Sequence, residues 1–434
     1  MSGRDALVVH GGRPLRGTVR VPGDKSISHR ALVLAAIAEG RSRLVHLADG
    51  DDVGRTRFAV EQLGVGLRDD ADGTVAVSGA GIGALAEPRT VIDCGNSGTT
   101  MRMITGLVAG RSFHTVLNGD SSLRTRPMGR VVHPLREMGA TIDGRRGGEH
   151  APLAVRGGPL RAVEHETAVA SAQVKSALLL AGLQADGRTV VREPSPSRDH
   201  TERLLGELGA PVERVDATTV AISRGALRPF ELEVPGDPSS AAFFAVAASI
   251  VDGSDIVLDD VALNPTRLGF VDVLRRMGAH IEVVETGVRL GEPVGELRVH
   301  AAPLHGVRVG AHEIATVLDE LPVLAVAAAV AEGATEVSGA AELRVKETDR
   351  IAAIDQELTQ LGVRVQATPD GFVIAGGARL VPSVLKSHGD HRIALSAAVA
   401  AVATPGESTV RGWGAAAVSY PGFEDDLVAL LGAP

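Results

Sequence analysis

One phrase occurs six times in this chain, and it limits the possible folds more than any other feature. A helix-like run closes on Leu or Met, a glycine follows, and an apolar segment restarts: "VEQLGVGL", "LREMGATI", "LGELGAPV", "LRRMGAHI", "LTQLGVRV" and finally "VALLGAP". The glycines are Gly64, Gly139, Gly209, Gly278, Gly362 and Gly432, separated by 75, 70, 69, 84 and 70 residues. Glycine just past the last helical residue is the usual left-handed helix stop. Ahead of each phrase lie an apolar helix, a short strand and a second helix. Two strands follow, as in "HIEVVETGVRLG" (280–291), which reads as a hairpin pair. The unit is roughly βαβαββ, and a period of this kind marks a fold built from repeats.

The sixth copy ends the chain without its strand pair, so the reading assigns that pair to "ALVVHGGRPLRGTVRVPG" at the N-terminus. A second repetition divides the chain in two: "VPGDKS" begins at Val21 and "VPGDPS" at Val234, with three units after each mark. The expectation is an α/β protein of two similar domains joined by a double crossover. One domain is discontinuous, residues 1–22 plus 234–434, and the other is 23–233. The functional cleft is expected between them.

Composition narrows the function. With 434 residues and 44% apolar content, two domains can each bury a core. The net charge of −9, with acids and bases interspersed, argues against nucleic-acid or membrane-surface partners, which call for a basic face. Aromatic residues make up only 2%, too few for base-stacking platforms. Cys94 has no partner for an intrachain disulfide, which fits a reducing compartment. The first residues lack a signal-peptide pattern, and no apolar run reaches the roughly 18 residues of a membrane span. A cytoplasmic protein is expected, and a monomer.

The helix starts carry unusual cargo. "VPGDKSISHRALVLAAIAEG" places Lys25, Ser26, Ser28, His29 and Arg30 in the first turns of an apolar helix. The matching "VPGDPSSAAFFAVAASI" has Pro238 where Lys25 stands, so the scaffold does not need the lysine. Only four of 44 basic residues are lysines (Lys25, Lys175, Lys346, Lys386), and an ammonium, unlike a guanidinium, can lose its proton when buried. "DCGNSGTTMRMI" brings Asn96, Ser97, Gly98, Thr99 and Arg102, and "VASAQVKSALLLAGL" brings Ser171, Ala172 and Gln173. "TRPMGRVV" has Arg126, "SRDHTERLLGEL" has Arg198 and Asp199, and "VLDELPVLAVAAAVA" has Asp319. "RVKETDRIAAI" has Lys346, Glu347 and Arg350 on what reads as one helix, and "SHGDHRIALSAAVA" has Asp390, His391 and Arg392. Helix N-termini attract anions, and arginines grip carboxylates and phosphates with paired bonds. Such a set suits small substrates with several negative charges. "VPGDKS" lacks the glycine before Lys that a phosphate-cradling P-loop needs. "HGDH" has metal-like spacing but no accompanying cluster, so no metal is expected.

Taken together, "VPGDKSISHRALVLAAIAEG", "GNSGTTMR", "RPMGR", "SAQVKSALLLAGL", "RVKETDR" and "DHRIA" resemble, in order and spacing, the 5-enolpyruvylshikimate-3-phosphate synthase family from about residue 8 to 425. The resemblance implies two domains of three βαβαββ units, each an inverse α/β barrel. It implies transfer of the enolpyruvyl group of phosphoenolpyruvate to the 5-hydroxyl of shikimate 3-phosphate, with release of phosphate and without cofactor or metal. By that resemblance Lys25, Ser26, Arg30, Ser171, Ala172, Gln173, Arg198, Asp319 and Lys346 would hold shikimate 3-phosphate. Lys25, Gly98, Arg126, Gln173, Arg350 and Arg392 would hold phosphoenolpyruvate. Asp319 would accept the hydroxyl proton, and Glu347 would handle the proton at the methylene carbon. An unperturbed Glu is protonated only about once in 500 at pH 7, so Glu347 and Lys25 both stay open as the donor. Gly98 stands where an alanine confers resistance to glyphosate in the family, which implies sensitivity.

Val418, Glu342 and Ala172 depart from residues found in some members, which puts only peripheral contacts in question. A related transferase acting on UDP-N-acetylglucosamine uses a loop cysteine, and none lies near Arg126. A non-catalytic clamp or RNA-end-processing protein on the same units would call for a basic stripe that this chain lacks.

Overall fold

The computed structural model describes residues 5–432. Residues 1–4 and 433–434, at the outer limits of the expected discontinuous domain, lie outside the described residues. Among the described residues the strands form six small sheets, five of four strands and one of three. One pattern recurs. In the second sheet Ile92–Asp93 runs parallel to His114–Asn118, which is antiparallel to His150–Arg156, which in turn is antiparallel to Thr141–Gly144. All six repeat glycines take positive φ, between 70° and 117°, a backbone state that side chains disfavour. The recurring phrase therefore reads as a helix stop at each copy.

Two sheets exchange their leading strands. Arg16–Val19 precedes the first apolar helix in the chain but pairs in parallel with Asp255–Ala262, a strand of the fourth sheet. Glu231–Glu233 precedes the fourth apolar helix but pairs in parallel with Glu39–Val45, a strand of the first. This corrects the expectation that both N-terminal strands complete the sixth unit. Only Ala6–Gly11 does so, antiparallel to Gly406–Arg411. The cause is local: Gly12 turns the chain at φ 85°, and Pro14 offers no N–H to continue a ladder. The buried Leu15 then donates its N–H to Ser254 Oγ at 3.0 Å and accepts from Asp255 N at 2.9 Å. A second correction concerns "HIEVVETGVRLG". Its first ten residues are a single strand, His280–Arg289, whose partner is Glu292–His300. The turn falls at Leu290 and Gly291, both at positive φ, as a two-residue hairpin turn requires.

The chain divides into two compact units. One comprises Gly23–Val234 with Val288–Glu292; the other comprises Met1–Pro22, Pro235–Gly287 and Pro293–Pro434. In the first unit the helices Lys25–Ile37, Gly98–Val108 and Ala172–Gly182 are buried over most of their lengths. Gly106 lets two of them approach closely, since a Cβ there would stand 2.2 Å from the Ala177 carbonyl oxygen. In the second unit Pro238–Ile250, Leu321–Val330 and His391–Ala403 form the corresponding apolar set. The ring of Phe423, in the last helix, stacks on Phe244 with centroids 4.9 Å apart. Among the described residues no helix is long and apolar enough to cross a membrane.

Candidate active site

Each apolar helix of the first unit begins with a side-chain oxygen that caps it, which fixes the residues just beyond. Asp24 accepts from Ile27 N at 2.7 Å, Ser97 from Thr100 N at 3.2 Å, and Ser171 from Val174 N at 3.5 Å. Lys25, Gly98 and Ala172 are thereby the first helical residues of their segments.

In the first unit the candidate residues form a chain of contacts. Lys25 Nζ lies 3.0 Å from Asp52 Oδ2. Arg198 donates to Ser26 Oγ at 3.2 Å. Arg30 is nearly sealed at 2% exposure and donates to the Ser26 carbonyl, Ser176 Oγ and Thr201 Oγ1 at 2.8, 2.9 and 2.6 Å. Burial lowers its pKa to about 10, with Glu202 and Asp24 offsetting the effect, so it stays cationic at neutral pH. Ser176 donates to the Ala172 carbonyl at 2.6 Å, which carries the chain to the next helix start. Gln173 accepts from Arg102 and donates to Thr99 Oγ1 at 2.9 Å. Arg126 is not on a helix. It follows the short turn Leu123–Thr125, donates to Asn96 Oδ1, and reaches Ser122 Oγ at 3.4 Å.

The second unit gathers the remaining candidates around one carboxylate. Asp319 Oδ1 lies 3.4 Å from Arg350 and 3.6 Å from Lys346, and Oδ2 lies 3.6 Å from Arg392. Arg392 also donates to the Asp319 carbonyl at 2.9 Å. Arg350, at 1% exposure, binds Glu347 at 2.7 Å and Asp390 at 2.8 Å. Burial works against its charge, but Asp390, Glu347 and Asp319 together hold it firmly protonated, above the usual arginine range. Burial likewise opposes ionisation of Asp390, yet Arg350 and His391 hold its carboxyl below the usual range. "RVKETDR" is not one helix. Ala341–Val345 is a tight 3-10 turn and the α-helix begins only at Arg350, because Asp349 caps it by accepting from Ala352 N at 3.1 Å. Lys346 and Glu347 therefore stand on the bend before the helix, and the pairing of Glu347 with Arg350 survives at i+3.

Sequence reasoning left several contributors unnoticed. Asp52, Ser176 and Thr201 hold Lys25 and Arg30, while Ser239, Glu320 and Arg267 back Arg392. Ser239 and Glu320 sit inside or beside quoted motifs and had some signal; Arg267 and Asp52 had none. The "HGDH" residues have other work, with His388 on Glu357 at 2.6 Å and Asp390 on Arg350. Among the described residues no group of three or more side chains is placed to hold a metal ion.

Polar and basic residues at helix starts in the first unit, and a carboxylate ringed by Lys346, Arg350 and Arg392 in the second, can be compared with known proteins. The family model for EPSP synthase (3-phosphoshikimate 1-carboxyvinyltransferase) matches residues 9–427. The chain belongs to the EPSP synthase family. It is 51% identical over 434 residues to the 3-phosphoshikimate 1-carboxyvinyltransferase of Synechococcus sp. strain JA-3-3Ab, covering 99% of this chain and 98% of that one. Among solved structures it is similar to EPSP synthase from Acinetobacter baumannii, at TM-score 0.88 and 38% identity, covering 98% of each chain. The enolpyruvyl transferase NikO from Streptomyces tendae shares the fold at TM-score 0.79 and 21% identity, covering 98% of this chain and 97% of that one. The EPSP synthase family thus accounts for the fold and for the order of the motifs.

Proposed function

We infer that this chain is a 3-phosphoshikimate 1-carboxyvinyltransferase. It transfers the enolpyruvyl group of phosphoenolpyruvate to the 5-hydroxyl of shikimate 3-phosphate and releases phosphate, a step of the shikimate pathway toward chorismate and the aromatic amino acids. The observation that carries this reading is family membership over residues 9–427 together with Asp319 ringed by Lys346, Arg350 and Arg392.

The reaction is an addition followed by an elimination. The 5-hydroxyl oxygen attacks C2 of phosphoenolpyruvate while its proton leaves and a proton reaches the C3 methylene. Loss of one C3 proton and of phosphate then restores the double bond. In our assignment Asp319 accepts the hydroxyl proton, and three cations around it accommodate the anionic substrates. Arg126, Arg350 and Arg392 grip phosphoenolpyruvate together with Lys25, Gln173 and the backbone at Gly98. Ser26, Arg30, Ser171, Ala172, Gln173, Arg198 and Lys346 hold shikimate 3-phosphate beside Lys25 and Asp319. Arg30 contributes chiefly by ordering the first turn of its helix, since Ser26, Ser176 and Thr201 engage its guanidinium. Glu347 is assigned the C3 proton, with release from Arg350 as the step that makes it available.

The residues so assigned come from both units, each read as a domain of three repeats. The reading uses no cofactor and takes the chain as a cytoplasmic monomer, for which the single buried cysteine supports a reducing compartment; glycine at position 98 supports sensitivity to glyphosate. The proton assignment is tested with Glu347→Gln in deuterated water. Exchange at the C3 methylene should fall by about a hundredfold or more, within the range of a general acid–base contribution. Exchange at the unaltered rate would move the role to Lys25.

A further inference from the structure

Lys175 has no part in the proposed reaction, yet its side chain is only 5% exposed. Its Nζ lies 2.7 Å from Glu193 Oε2 and 2.8 Å from Glu202 Oε1, and those carboxylates are themselves 1% and 8% exposed. Burial works against the ammonium, but Glu202 and Glu193 outweigh it and raise the lysine above its ordinary value. Taking three charges out of water costs about as much as their attraction returns, so stability alone is a poor reason for such a cluster.

Position supplies a better reason. Glu193 Oε1 accepts the Ser171 N–H at 3.0 Å, and Oε2 accepts the Ser197 hydroxyl at 2.9 Å. Ser171 caps the Ala172–Gly182 helix, and Ser197 directly precedes Arg198. Glu202 follows Thr201, whose hydroxyl takes the Arg30 Nε at 2.6 Å. The cluster therefore touches, directly or through one neighbour, the three segments that carry Ser171, Arg198 and Arg30. An ammonium presents its charge and donors from one compact atom, which fits a point where two carboxylates converge within 2.8 Å. That accounts for a lysine here in a chain that writes nearly every other cation as arginine.

We propose that Lys175, Glu193 and Glu202 are positioning residues for shikimate 3-phosphate, with Glu193 fixing the distance between the Ser171 and Arg198 segments. The proposal rests on the assignment of those segments to shikimate 3-phosphate. Glu193→Gln keeps the shape but replaces one accepting oxygen with a donor. Its affinity for shikimate 3-phosphate by calorimetry should fall about tenfold or more, the effect of losing a hydrogen bond to a charged group. KM for phosphoenolpyruvate, measured at saturating shikimate 3-phosphate, should stay at the unaltered value. Ser197→Ala removes one bond to Glu193 and is read if circular dichroism shows Glu193→Gln unfolded; it should weaken shikimate 3-phosphate about threefold or more on the same scale. Unchanged shikimate 3-phosphate affinity in the folded variant would overturn the proposal, as would an equal loss for both substrates. Arg198→Ala separates the two levels. If it fails to weaken shikimate 3-phosphate, the site assignment falls; if it weakens binding while Glu193→Gln does not, only the triad falls.

Discussion

His29 is a charged-looking residue that the fold uses as a neutral one. It is fully buried, and Nδ1 meets Thr56 Oγ1 at 2.7 Å, while Thr56 meets Thr100 at 2.6 Å. Burial, with Lys25 and Arg30 adding and Asp52 offsetting, pushes its pKa down to about 3. In the unfolded chain it titrates near 6.5, so between these values the unfolded state binds the extra proton and stability falls as pH falls. From pH 7 to 5 this group should cost the protein about 2 kcal/mol. Thermal unfolding at both pH values should show a smaller drop for His29→Gln than for the unaltered chain; equal drops would contradict the account. Gly98 makes the opposite case, a residue valued for what it lacks. A Cβ there would stand 2.8 Å from Arg102 Nη1 and 3.5 Å from Arg126 Nη1, the ends of flexible side chains. Gly98→Ala should therefore fold normally, since alanine favours helix. Displacing the arginines should raise KM for phosphoenolpyruvate about tenfold or more. Unchanged KM for phosphoenolpyruvate would remove Gly98 from that site. Both residues stood out in the sequence because they sit in long motifs. Asp52 and Glu193 did not, because only tertiary packing brings such scattered polar residues to the motif they serve.

The elements were legible where periodicity and capping agree. The six helix stops, the apolar helices and the oxygen caps on five of them follow from short-range rules. What failed was pairing: Gly12 and Pro14 mark the break after Ala6–Gly11, but no local signal names the sheet that Arg16–Val19 or Glu231–Glu233 joins next. The "RVKETDR" stretch failed for a different reason, since a helical pattern continues through residues that Asp349 excludes by capping later. One element-level device ties the second unit's site together. Glu357, on the Arg350–Gln360 helix, accepts the Lys386 N–H at 2.8 Å and binds His388 Nε2 at 2.6 Å. His388 sits at φ 52°, a conformation costly for a non-glycine residue, and lies just ahead of Asp390 and Arg392. Glu357 thus fixes the loop that carries Arg392 relative to the helix that begins at Arg350. Glu357→Ala leaves the part-buried Lys386 N–H and His388 ring without this acceptor, at about 0.5–1.5 kcal/mol for each hydrogen bond lost. KM for phosphoenolpyruvate should rise about fivefold or more, on the scale where 1.4 kcal/mol is tenfold, while shikimate 3-phosphate affinity holds. Equal weakening of both substrates would mean the loop has no selective role.

At the scale of the whole molecule, the repeat count and the paired "VPGD" marks made the architecture readable, and the motif order made the family readable. The division of labour is the strongest consequence. Lys25, Arg126 and Gln173 lie in one unit, and Asp319, Glu347, Arg350 and Arg392 in the other. In the proposed assignment the second set supplies the proton acceptor, the proton donor and two anion-gripping arginines, and the first adds Lys25, Arg126 and Gln173. The most direct test is phosphate release by the purified chain given phosphoenolpyruvate, with and without shikimate 3-phosphate, beside Lys25→Ala. Release that requires both substrates and is lost in Lys25→Ala is the predicted result; no release with both substrates present, while shikimate 3-phosphate still binds, would contradict the assigned transfer.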